Sequence, residues 1–539
     1  MKTTSTSDET TRGIPRRSFL RTAAGGGLAV ATLPTLVDSF SVQALAGGDP
    51  RLYQLLEDQD RVLVLIQMAG GNDGLNTVIP HTDPLYYERR PTIAIAKNKT
   101  LRINDTLGWH PAMTGFRALY DEGKLAIVQG VTYPNPDRSH FRGTDIWLTA
   151  TDADVFGSTG WVGRYLQTLA PSYPAELPAH PLAVQIGNAT SLALLGGAGP
   201  MGISFRDPDE FYRLVNGGGS SGDVPSSEES DTPAGREIAF MRNIARSADV
   251  YATVVKQAND KSGATTVQFP ATDIGAKLKV VSQLISGGLR SRIFLISWAN
   301  NNFDTHASQT STDDATLGVH ANLLRELSDA VSAFMQEMKV RGHADRVAGM
   351  TFSEFGRRVY ENGSVGTDHG TAAPLFVFGQ QVMGGRVHGT NPDLVNLDPI
   401  GDLLMQHDYR DIYASVLLQW FGVSNSAAQQ LLLRDFSQGA PALFMKGTTS
   451  THESTAEQAF LRVGPNPATD VLVVQVSVDA HSDAWLTLSD VRGTQHRTAP
   501  VESWTGVARL DLVGMPSGTY IVTLHDGRRV THTTIQIAR

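Results

Sequence analysis

Residues 62–74 have the sequence VLVLIQMAGGNDG, in which a run of mostly branched apolar side chains leads into a glycine-rich turn. A near-continuous apolar run is typical of a β-strand that is buried on both faces, because neither face then needs polar side chains. Three later runs have the same character and also lead into polar or glycine-rich segments: 125–129, 293–298 and 347–352. Together the four runs predict the central strands of one sheet.

Helical segments separate these strands. In residues 317–340, apolar side chains recur every three or four positions. Comparable segments are 111–122, 236–257 and 271–286. Alternating strands and helices predict an α/β domain whose mostly parallel sheet is flanked by helices. We expect this domain to span residues 47–446, with a flexible insertion at 216–235, where glycine, serine and acidic residues dominate.

The first 46 residues are predicted to be a removable signal peptide. Arg16 and Arg17 precede a short run rich in glycine and alanine at 23–37, and small residues at 44–46 suit cleavage. The run is too short and too weakly apolar for a membrane-spanning helix. The arginine pair resembles a twin-arginine signal, which implies the twin-arginine translocase as a partner. We therefore expect a mature chain that begins near Gly47 and has no transmembrane anchor.

The composition excludes several classes of protein. The chain has 539 residues, no cysteine and a net charge of −9 at neutral pH. Without cysteine there are no disulfides, thiolate metal sites or cysteine nucleophiles. An acidic surface repels phosphate backbones and anionic lipids, so we expect no nucleic-acid partner. A small anionic ligand then requires a local metal or arginine site.

The end of the chain has a different character. Residues 447–457 are rich in threonine and serine, which is typical of a linker, and alternating apolar runs within 458–539 predict a small antiparallel β-sandwich. Its segments GPNPATD (464–470) and MPSGTY (515–520) resemble the type A sorting domain of type IX secretion. The resemblance implies the type IX secretion machinery as a partner, export through the periplasm and a secreted or cell-surface location. A carbohydrate-binding or spacer sandwich is the alternative.

Potential metal ligands follow the predicted strands, at the edge where open α/β sheets bind ligands. Asp304 and His306 are two residues apart, so on extended chain their side chains point the same way and can hold one ion. Asp368 and His369 place a carboxylate beside an imidazole in a turn, and Asp73 lies in the first glycine-rich turn. These residues predict a metal site. The alternatives are a turn role for Asp73 and for the Asp368–His369 pair, and a surface pair for Asp304 and His306.

A candidate nucleophile lies in the segment after the second predicted strand. Ser139 precedes an amphipathic stretch that runs to residue 150, so we expect its hydroxyl at a helix N-terminus, where backbone amides favour an anion. Arg138 and Arg142 flank it and are suited to bidentate contacts with anionic oxygens. We predict Ser139 as nucleophile and both arginines as catalytic residues. The alternative is that Ser139 only caps the helix.

Longer motifs resemble the domain of unknown function 1501 family, which is similar to sulfatases and alkaline phosphatases. They are GGNDGLNTVIP (70–80), YPNPDRSHFRGTDIW (133–147), FDTHASQ (303–309), FSEFGRRVYENGSVGTDHGTAAPLFVFG (352–379) and HDYRDIYASVL (407–417). The resemblance implies an alkaline phosphatase/sulfatase-like fold. It also implies one or two divalent metal ions (Zn, Ca, Mg or Mn) beside a serine or threonine nucleophile.

The resemblance also implies a distribution of the ligands. Asp73, Ser139, Asp368 and His369 would surround one metal ion.

A second ion would be bound by Asp304 and His306, with His320 or His388 as a further ligand. The phosphatase pattern places the aspartate and histidine of this second ion four residues apart, whereas Asp304 and His306 are two apart.

These features favour an exported, metal-dependent hydrolase that acts on a small anionic ester of phosphate or sulfate. A non-catalytic secreted or cell-surface binding protein that retains the fold and a structural metal is the alternative. A metal-free serine esterase is the third hypothesis. It is disfavoured because the GGSSG sequence at 218–222 lacks the strand and helix that position a nucleophilic serine.

Processing provides a test of both ends of the chain. We expect the secreted protein to begin near Gly47 and to end within 447–460, because the signal peptide and the sorting domain are both removed. The intact mass of the secreted protein measures both cuts. A secreted species that retains all 539 residues would contradict this prediction.

Overall fold

The structure, a computed structural model, describes residues 61–216, 233–298 and 302–445 of the α/β region. In the C-terminal region it describes 460–464, 468–477, 484–490, 494–501, 507–525 and 530–538. The predicted signal peptide, the predicted linker at 447–457 and residues 217–232 of the predicted insertion lie outside the described residues.

A nine-stranded sheet forms the centre of the α/β region. The strands of this region are β1 (Val62–Met68), β2 (Val78–Ile79), β3 (Leu101–Arg102), β4 (Gly108–Trp109), β5 (Leu125–Thr132), β6 (Ala183–Ile186), β7 (Leu195–Gly196), β8 (Gly199–Pro200), β9 (Ile203–Phe205), β10 (Ile293–Trp298), β11 (Val347–Phe352), β12 (Ala373–Gly379), β13 (Arg386–His388) and β14 (His407–Asp408). The order in the sheet is β13-β5-β12-β11-β1-β10-β6-β9, and β14 pairs with the edge of β5 that β13 also occupies. Only β12 runs antiparallel to its neighbours, so the prediction of a mostly parallel sheet is confirmed.

Helices lie on both faces of this sheet. They are α1 (Gly74–Thr77), α2 (Pro84–Arg89), α3 (Thr114–Asp121), α4 (His140–Thr149), α5 (Trp161–Leu169), α6 (Pro208–Asn216), α7 (Pro233–Ser262), α8 (Asp273–Ser286), α9 (Val319–Val340), α10 (Tyr409–Ser415) and α11 (Asn425–Leu431). A π-helical turn, Val416–Trp420, follows α10. The four predicted helical segments correspond to α3, α7, α8 and α9.

The apolar run of β1 supplies two cores, because alternate residues of a strand point to opposite faces. Leu63 and Leu65 pack with residues of α4, α5 and α10, whereas Val64 and Ile66 pack with residues of α3, α8 and α9. All four side chains are buried. This double burial is the reason that the sequence of β1 is almost continuously apolar.

The sheet brings five loops together at the carboxyl ends of its parallel strands, which are called the carboxyl edge below. The segments after β1, β5, β10 and β11 leave the carboxyl ends of strands that run in the same direction. Because β12 runs the opposite way, the segment before it starts from this edge as well. The predicted site residues lie in these five loops, with the exception of Arg142, which lies in α4, and of His320 and His388.

A buried ion pair fixes the turn after β1. Both side chains of the pair, Asp73 and Arg90, are 0% exposed, and Arg90 Nη1 lies 2.9 Å from Asp73 Oδ1 and 2.7 Å from Oδ2. The amide Nε2 of Gln309 donates a further bond of 2.6 Å to Asp73 Oδ2. Burial alone would raise the pKa of Asp73, but the charge and hydrogen bonds of Arg90 outweigh it and the pKa is lowered.

This environment corrects the expected position of Asp73. Arg90 and Gln309 occupy both carboxylate oxygens, and among the described residues no contact joins Asp73 to Asp368 or His369. The sequence pattern placed Asp73 correctly in the turn but did not reveal that Arg90, seventeen positions later, is its partner.

The C-terminal region contains two antiparallel sheets. Their strands are β15 (Phe460–Gly464), β16 (Val471–Ser477), β17 (Trp485–Asp490), β18 (Gln495–Pro500), β19 (Val507–Asp511), β20 (Gly518–His525) and β21 (Val530–Ile537). One sheet has the order β15-β16-β19 and the other β18-β17-β20-β21. Leu472, Leu486 and Val522 belong to one shared apolar core, so the predicted β-sandwich is confirmed.

Within the described part of the chain, no helix has both the length and the apolar character needed to cross a membrane.

The Asp73–Arg90 pair predicts a large stability effect. Asp73→Asn removes the negative charge while Arg90 stays buried, and breaking a buried pair costs about 3–5 kcal/mol. We expect the free energy of unfolding to fall by this amount in urea denaturation at pH 7. The control Asp121→Asn removes the exposed partner of Arg117 and should cost less than about 1 kcal/mol.

The same measurement over pH checks the charge. A lowered pKa contributes stability that is present above about pH 4 and is lost as the pH falls through the folded-state value. The difference between wild type and Asp73→Asn should therefore shrink in acid. A difference that stays constant down to pH 2 would contradict the ion-pair explanation.

Candidate metal centre

A buried guanidinium holds the loops of this edge together. Arg357 follows β11, and its Nε donates to the Gly71 carbonyl at 2.8 Å while Nη1 donates to the Thr367 carbonyl at 2.9 Å. Its Nη2 donates to the carbonyls of Gly70 and Phe303. The loops after β1 and β10 and the loop before β12 are thereby connected through one side chain.

The guanidinium of Arg357 also contacts a partly exposed carboxylate at the carboxyl edge of the sheet. Arg357 Nη2 lies 2.6 Å from Asp304 Oδ1, and the Asp304 side chain is 31% exposed. Burial opposes the charge of Asp304, but the bond and charge of Arg357 lower its pKa. Asp304 is therefore an ionised carboxylate at neutral pH.

His369 lies beside this carboxylate in a defined orientation. Its Nδ1 is 2.8 Å from the carbonyl oxygen of Arg138, and a carbonyl only accepts, so Nδ1 carries the proton. Burial lowers the pKa of His369, so the ring is neutral at pH 7 and Nε2 has a free lone pair. Nε2 lies 3.2 Å from Asp304 Oδ1.

His140, the first residue of α4, is oriented in the same way. Its Nδ1 lies 2.8 Å from Oε1 of Glu354, which is buried and also accepts from the Gly70 amide. The Glu354 hydrogen bond raises the pKa of His140. Nε2 is buried, has no hydrogen-bond partner among the described residues and lies 3.4 Å from Asp304 Oδ2.

His306 completes the arrangement. Its Nδ1 lies 3.2 Å from Asp368 Oδ1, an oxygen that also accepts from Asn362 Nδ2 at 2.9 Å. Its Nε2 lies 3.0 Å from Asp304 Oδ1 and 2.8 Å from Nε2 of His369. Two lone pairs at this separation repel each other unless a proton or a cation lies between them.

Three imidazoles therefore present Nε2 towards one carboxylate. The donor atoms of His140, Asp304 and His369 lie within 4.8 Å of one another, which is the spacing of a group able to hold a metal ion, and His306 contacts two of these three. Below, this metal centre denotes His140, Asp304, His306 and His369. Asp368 is next to the centre and contacts the Nδ1 side of His306.

His140 was not among the sequence candidates. Two features of the sequence indicated it: His140 begins the predicted helix, and it directly follows Ser139 in the motif at 133–147. The prediction favoured the hydroxyl of Ser139 over the neighbouring imidazole of His140.

Ser139 occupies the N-cap position of α4, as predicted, and is exposed. Its hydroxyl makes no capping hydrogen bond, whereas its backbone amide donates to Asp137 Oδ1 at 2.7 Å. The residues on either side both contribute to the centre, because the Arg138 carbonyl holds His369 and His140 is one of the imidazoles. Ser139 thus lies next to the centre, and its hydroxyl does not cap the helix.

The two flanking arginines do not form the expected clamp. The Arg138 guanidinium lies 2.6 Å from Asp402 Oδ2 and 2.9 Å from Asp398 Oδ2. Arg142 Nη2 donates to the Val155 carbonyl at 2.7 Å, and its guanidinium stacks 4.1 Å from the ring centre of Phe156. Both cations have partners already, a fact that the sequence spacing did not reveal.

Neither candidate for the further histidine joins the centre. His320 is buried with Nε2 at 3.0 Å from Asn72 Oδ1, and burial lowers its pKa to about 4. His388 is the last residue of β13 and pairs with Val128 at the edge of the sheet. Among the described residues, no contact joins either imidazole to Asp304.

Comparisons with known proteins agree with the sequence motifs. Residues 255–425 match the family model for a protein of unknown function (DUF1501), and residues 462–538 match the secretion system C-terminal sorting domain. The motifs at 70–80 and 133–147 lie outside the matched segment. No curated protein sequence matches the chain.

The chain is also similar to solved structures of low sequence identity. One is the PsFucS1 sulfatase from Pseudoalteromonas sp., with 12% identity, 88% of this chain and 86% of that chain covered, and a TM-score of 0.33. Another is a protein in the alkaline phosphatase superfamily from Vibrio parahaemolyticus, with 9% identity, 89% and 82% covered, and a TM-score of 0.31. A third belongs to a Bacteroides thetaiotaomicron locus for the metabolism of multiple glycosaminoglycans, with 10% identity, 82% and 90% covered, and a TM-score of 0.33.

The sorting domain has a direct consequence for location. A domain of this kind addresses a protein to a secretion system and implies the type IX machinery, as the motifs at 464–470 and 515–520 predicted. Residues 255–425 thus match the DUF1501 family model, residues 462–538 match a C-terminal secretion sorting domain, and the protein is secreted or displayed at the cell surface.

Proposed function

We propose that the protein is a metal-dependent hydrolase of phosphate or sulfate esters. One observation carries this proposal: each of three imidazoles has its Nδ1 beside an acceptor, which leaves Nε2 directed at Asp304. Histidines that bind metals generally donate their other ring N–H to a carboxylate or carbonyl in this way. The acceptors are Glu354, Asp368 and the carbonyl of Arg138.

The donor set favours a particular kind of ion. Imidazole nitrogens suit zinc and other transition metals, whereas calcium and magnesium prefer oxygen ligands. In a tetrahedral zinc site with bonds of about 2.0–2.1 Å, ligand atoms are separated by roughly 3.3 Å. Four of the separations between donor atoms of the centre are 2.8–3.4 Å, which is close to that value.

A divalent ion held by the metal centre would supply Lewis acidity to an ester oxygen. The chain itself contributes the orientation of the three imidazoles and an exposed hydroxyl, that of Ser139, at the start of α4. The first amides of this ten-residue helix are suited to an anionic ester, because helix N-termini favour negative charge. We assign Ser139 as the nucleophile.

A binding protein is the second candidate. The observation that favours it is the engagement of the nearby arginines: Arg138 pairs with two aspartates, Arg142 stacks on Phe156, and Arg357 is buried. None of these three arginines is then free to bind the transferred phosphoryl or sulfuryl group. In this alternative the metal centre is structural or holds a ligand without reaction.

Metal binding tests the centre. We expect the purified chain to bind zinc stoichiometrically in equilibrium dialysis with elemental analysis. His369→Ala removes a donor nitrogen and should abolish this binding. Glu354→Gln removes the negative charge of the acceptor beside His140 Nδ1 and keeps all four proposed ligands, so affinity should fall about 10–100-fold.

The control is His343→Ala, since His343 contacts Arg346 away from the centre. This variant should bind zinc like the wild type. Zinc binding that survives both His369→Ala and His140→Ala would refute the assignment of the ligands.

Ser139→Ala tests catalysis separately. Because the hydroxyl makes no capping bond, we expect its loss to change the free energy of unfolding by less than about 0.5 kcal/mol and to leave zinc bound. Hydrolysis of nitrophenyl phosphate and nitrophenyl sulfate should be lost.

Ser424→Ala is the matched control. Ser424 Oγ accepts from the Ala427 amide at the start of α11, so this variant should lose about 0.5–2 kcal/mol of stability and keep its activity. Full hydrolysis by Ser139→Ala would exclude the nucleophile. A wild-type chain that binds zinc and hydrolyses neither class of ester would favour the binding protein.

A further inference from the structure

Two ligand-bearing segments run side by side beneath the metal centre. Residues 304–309 carry Asp304 and His306, and residues 364–369 carry Asp368 and His369. The Thr367 amide donates to the Thr305 carbonyl at 3.1 Å, and the Gln309 amide donates to the Val365 carbonyl at 2.8 Å. The distance between the two histidines therefore depends on how these segments are aligned.

The approach of the two segments is unusually close. A Cβ atom on Gly366 would lie 2.4 Å from the His306 carbonyl oxygen, so only glycine fits at this position. Two non-glycine residues on either side of the contact, Ser308 (φ 51°) and Val365 (φ 57°), adopt left-handed backbone conformations. Such conformations cost about 1–3 kcal/mol each for unsuited residues and persist only where other contacts enforce them.

One buried side chain supplies the enforcing contacts. Gln309 is fully buried, and its Oε1 accepts from Thr305 Oγ1 at 3.0 Å and from Thr367 Oγ1 at 2.8 Å. Thr305 lies between the ligands Asp304 and His306, and Thr367 lies two positions before His369. The amide thus connects both segments at the residues next to the ligands.

The other end of the Gln309 amide is anchored. Its Nε2 donates to Asp73 Oδ2 at 2.6 Å, and Asp73 is fixed by the buried Arg90. An ionised acceptor makes this hydrogen bond stronger than a neutral one. The chain of contacts leads from the turn after β1, through Gln309, to both ligand-bearing segments.

We infer that Gln309 is a positioning residue of the metal centre, and that Asp73 and Arg90 act on the centre through it. The part of this inference that concerns metal affinity rests on the proposed function. It gives Asp73 a role in the site that differs from the ligand role implied by the sequence motifs. It also explains how strain at Ser308 and Val365 is maintained.

Gln309→Leu tests the inference, since leucine fills similar space but makes none of the three hydrogen bonds. We expect the zinc dissociation constant of the full chain to rise about 10–100-fold, the range measured when partners of metal ligands are removed. Gln167→Leu is the control, because Gln167 is a buried glutamine whose Oε1 accepts from the Gly197 amide away from the centre. Its zinc dissociation constant should stay within about twofold of the wild type although its stability also falls.

A second measurement does not require metal. In the metal-free chain, hydrogen exchange at the amides of Gln309 and Thr367 should become at least about tenfold faster in Gln309→Leu and should remain unchanged in Gln167→Leu. Equal changes in both variants would show general destabilisation and would overturn the inference, as would unchanged exchange in Gln309→Leu. Absence of zinc binding by the wild type would refute the proposed function alone, because the exchange measurement still tests the alignment of the two segments.

Discussion

The site depends on one buried cation. Arg357 makes hydrogen bonds to main-chain carbonyls from three loops and to the Asp304 carboxylate, and its side chain has no exposed surface. A buried main-chain carbonyl without a donor costs free energy comparable to a lost hydrogen bond. The Arg357 guanidinium donates hydrogen bonds to several such carbonyls and also pairs with the ionised Asp304 carboxylate. The metal centre is therefore built on the contacts that hold the carboxyl edge of the sheet together.

The imidazoles are arranged by a different rule. Each ring has two nitrogens, and the hydrogen bond that one of them makes sets the direction of the other. The protein uses a buried carboxylate, an exposed carboxylate and a main-chain carbonyl for this purpose at His140, His306 and His369. Because these acceptors belong to separate loops, the direction of the three Nε2 atoms is a property of the whole edge and not of any one loop.

The sequence predicted the fold better than the site, for physical reasons. Burial on both faces forces a continuous apolar run, so β1, β10 and β11 were identified with the bounds that the structure has. Position at the carboxyl edge likewise followed for Asp304 and His306 from the order of strands and helices, whereas the resemblance assigned His369 to a different metal ion. The run at 125–129 was too short by three residues, because Gly130 interrupts the apolar pattern while Val131 and Thr132 still continue β5.

Side-chain partners were harder to predict, since they depend on contacts between residues distant in sequence. Asp73 and Arg138 have the residue types of a catalytic site, yet Arg90 and Asp402 determine where their side chains lie. His140 was missed for the same reason, as its partner Glu354 is more than two hundred residues away. Spacing rules describe neighbours along an extended segment, whereas these pairs depend on how separate segments meet in the folded sheet.

The central position of β1 affects how the protein can be divided. The segment that matches the DUF1501 model starts at residue 255, but β1 lies between β11 and β10 in the sheet and comes from residues before that start. A fragment expressed with the limits of the family match would lack β1, so the edges of β10 and β11 that pair with β1 would have no partner strand. It would lack His140 as well. Such edges are templates for association with other chains. Work on isolated pieces of this protein should therefore start no later than β1, with the boundary chosen by strand order and not by the extent of sequence similarity.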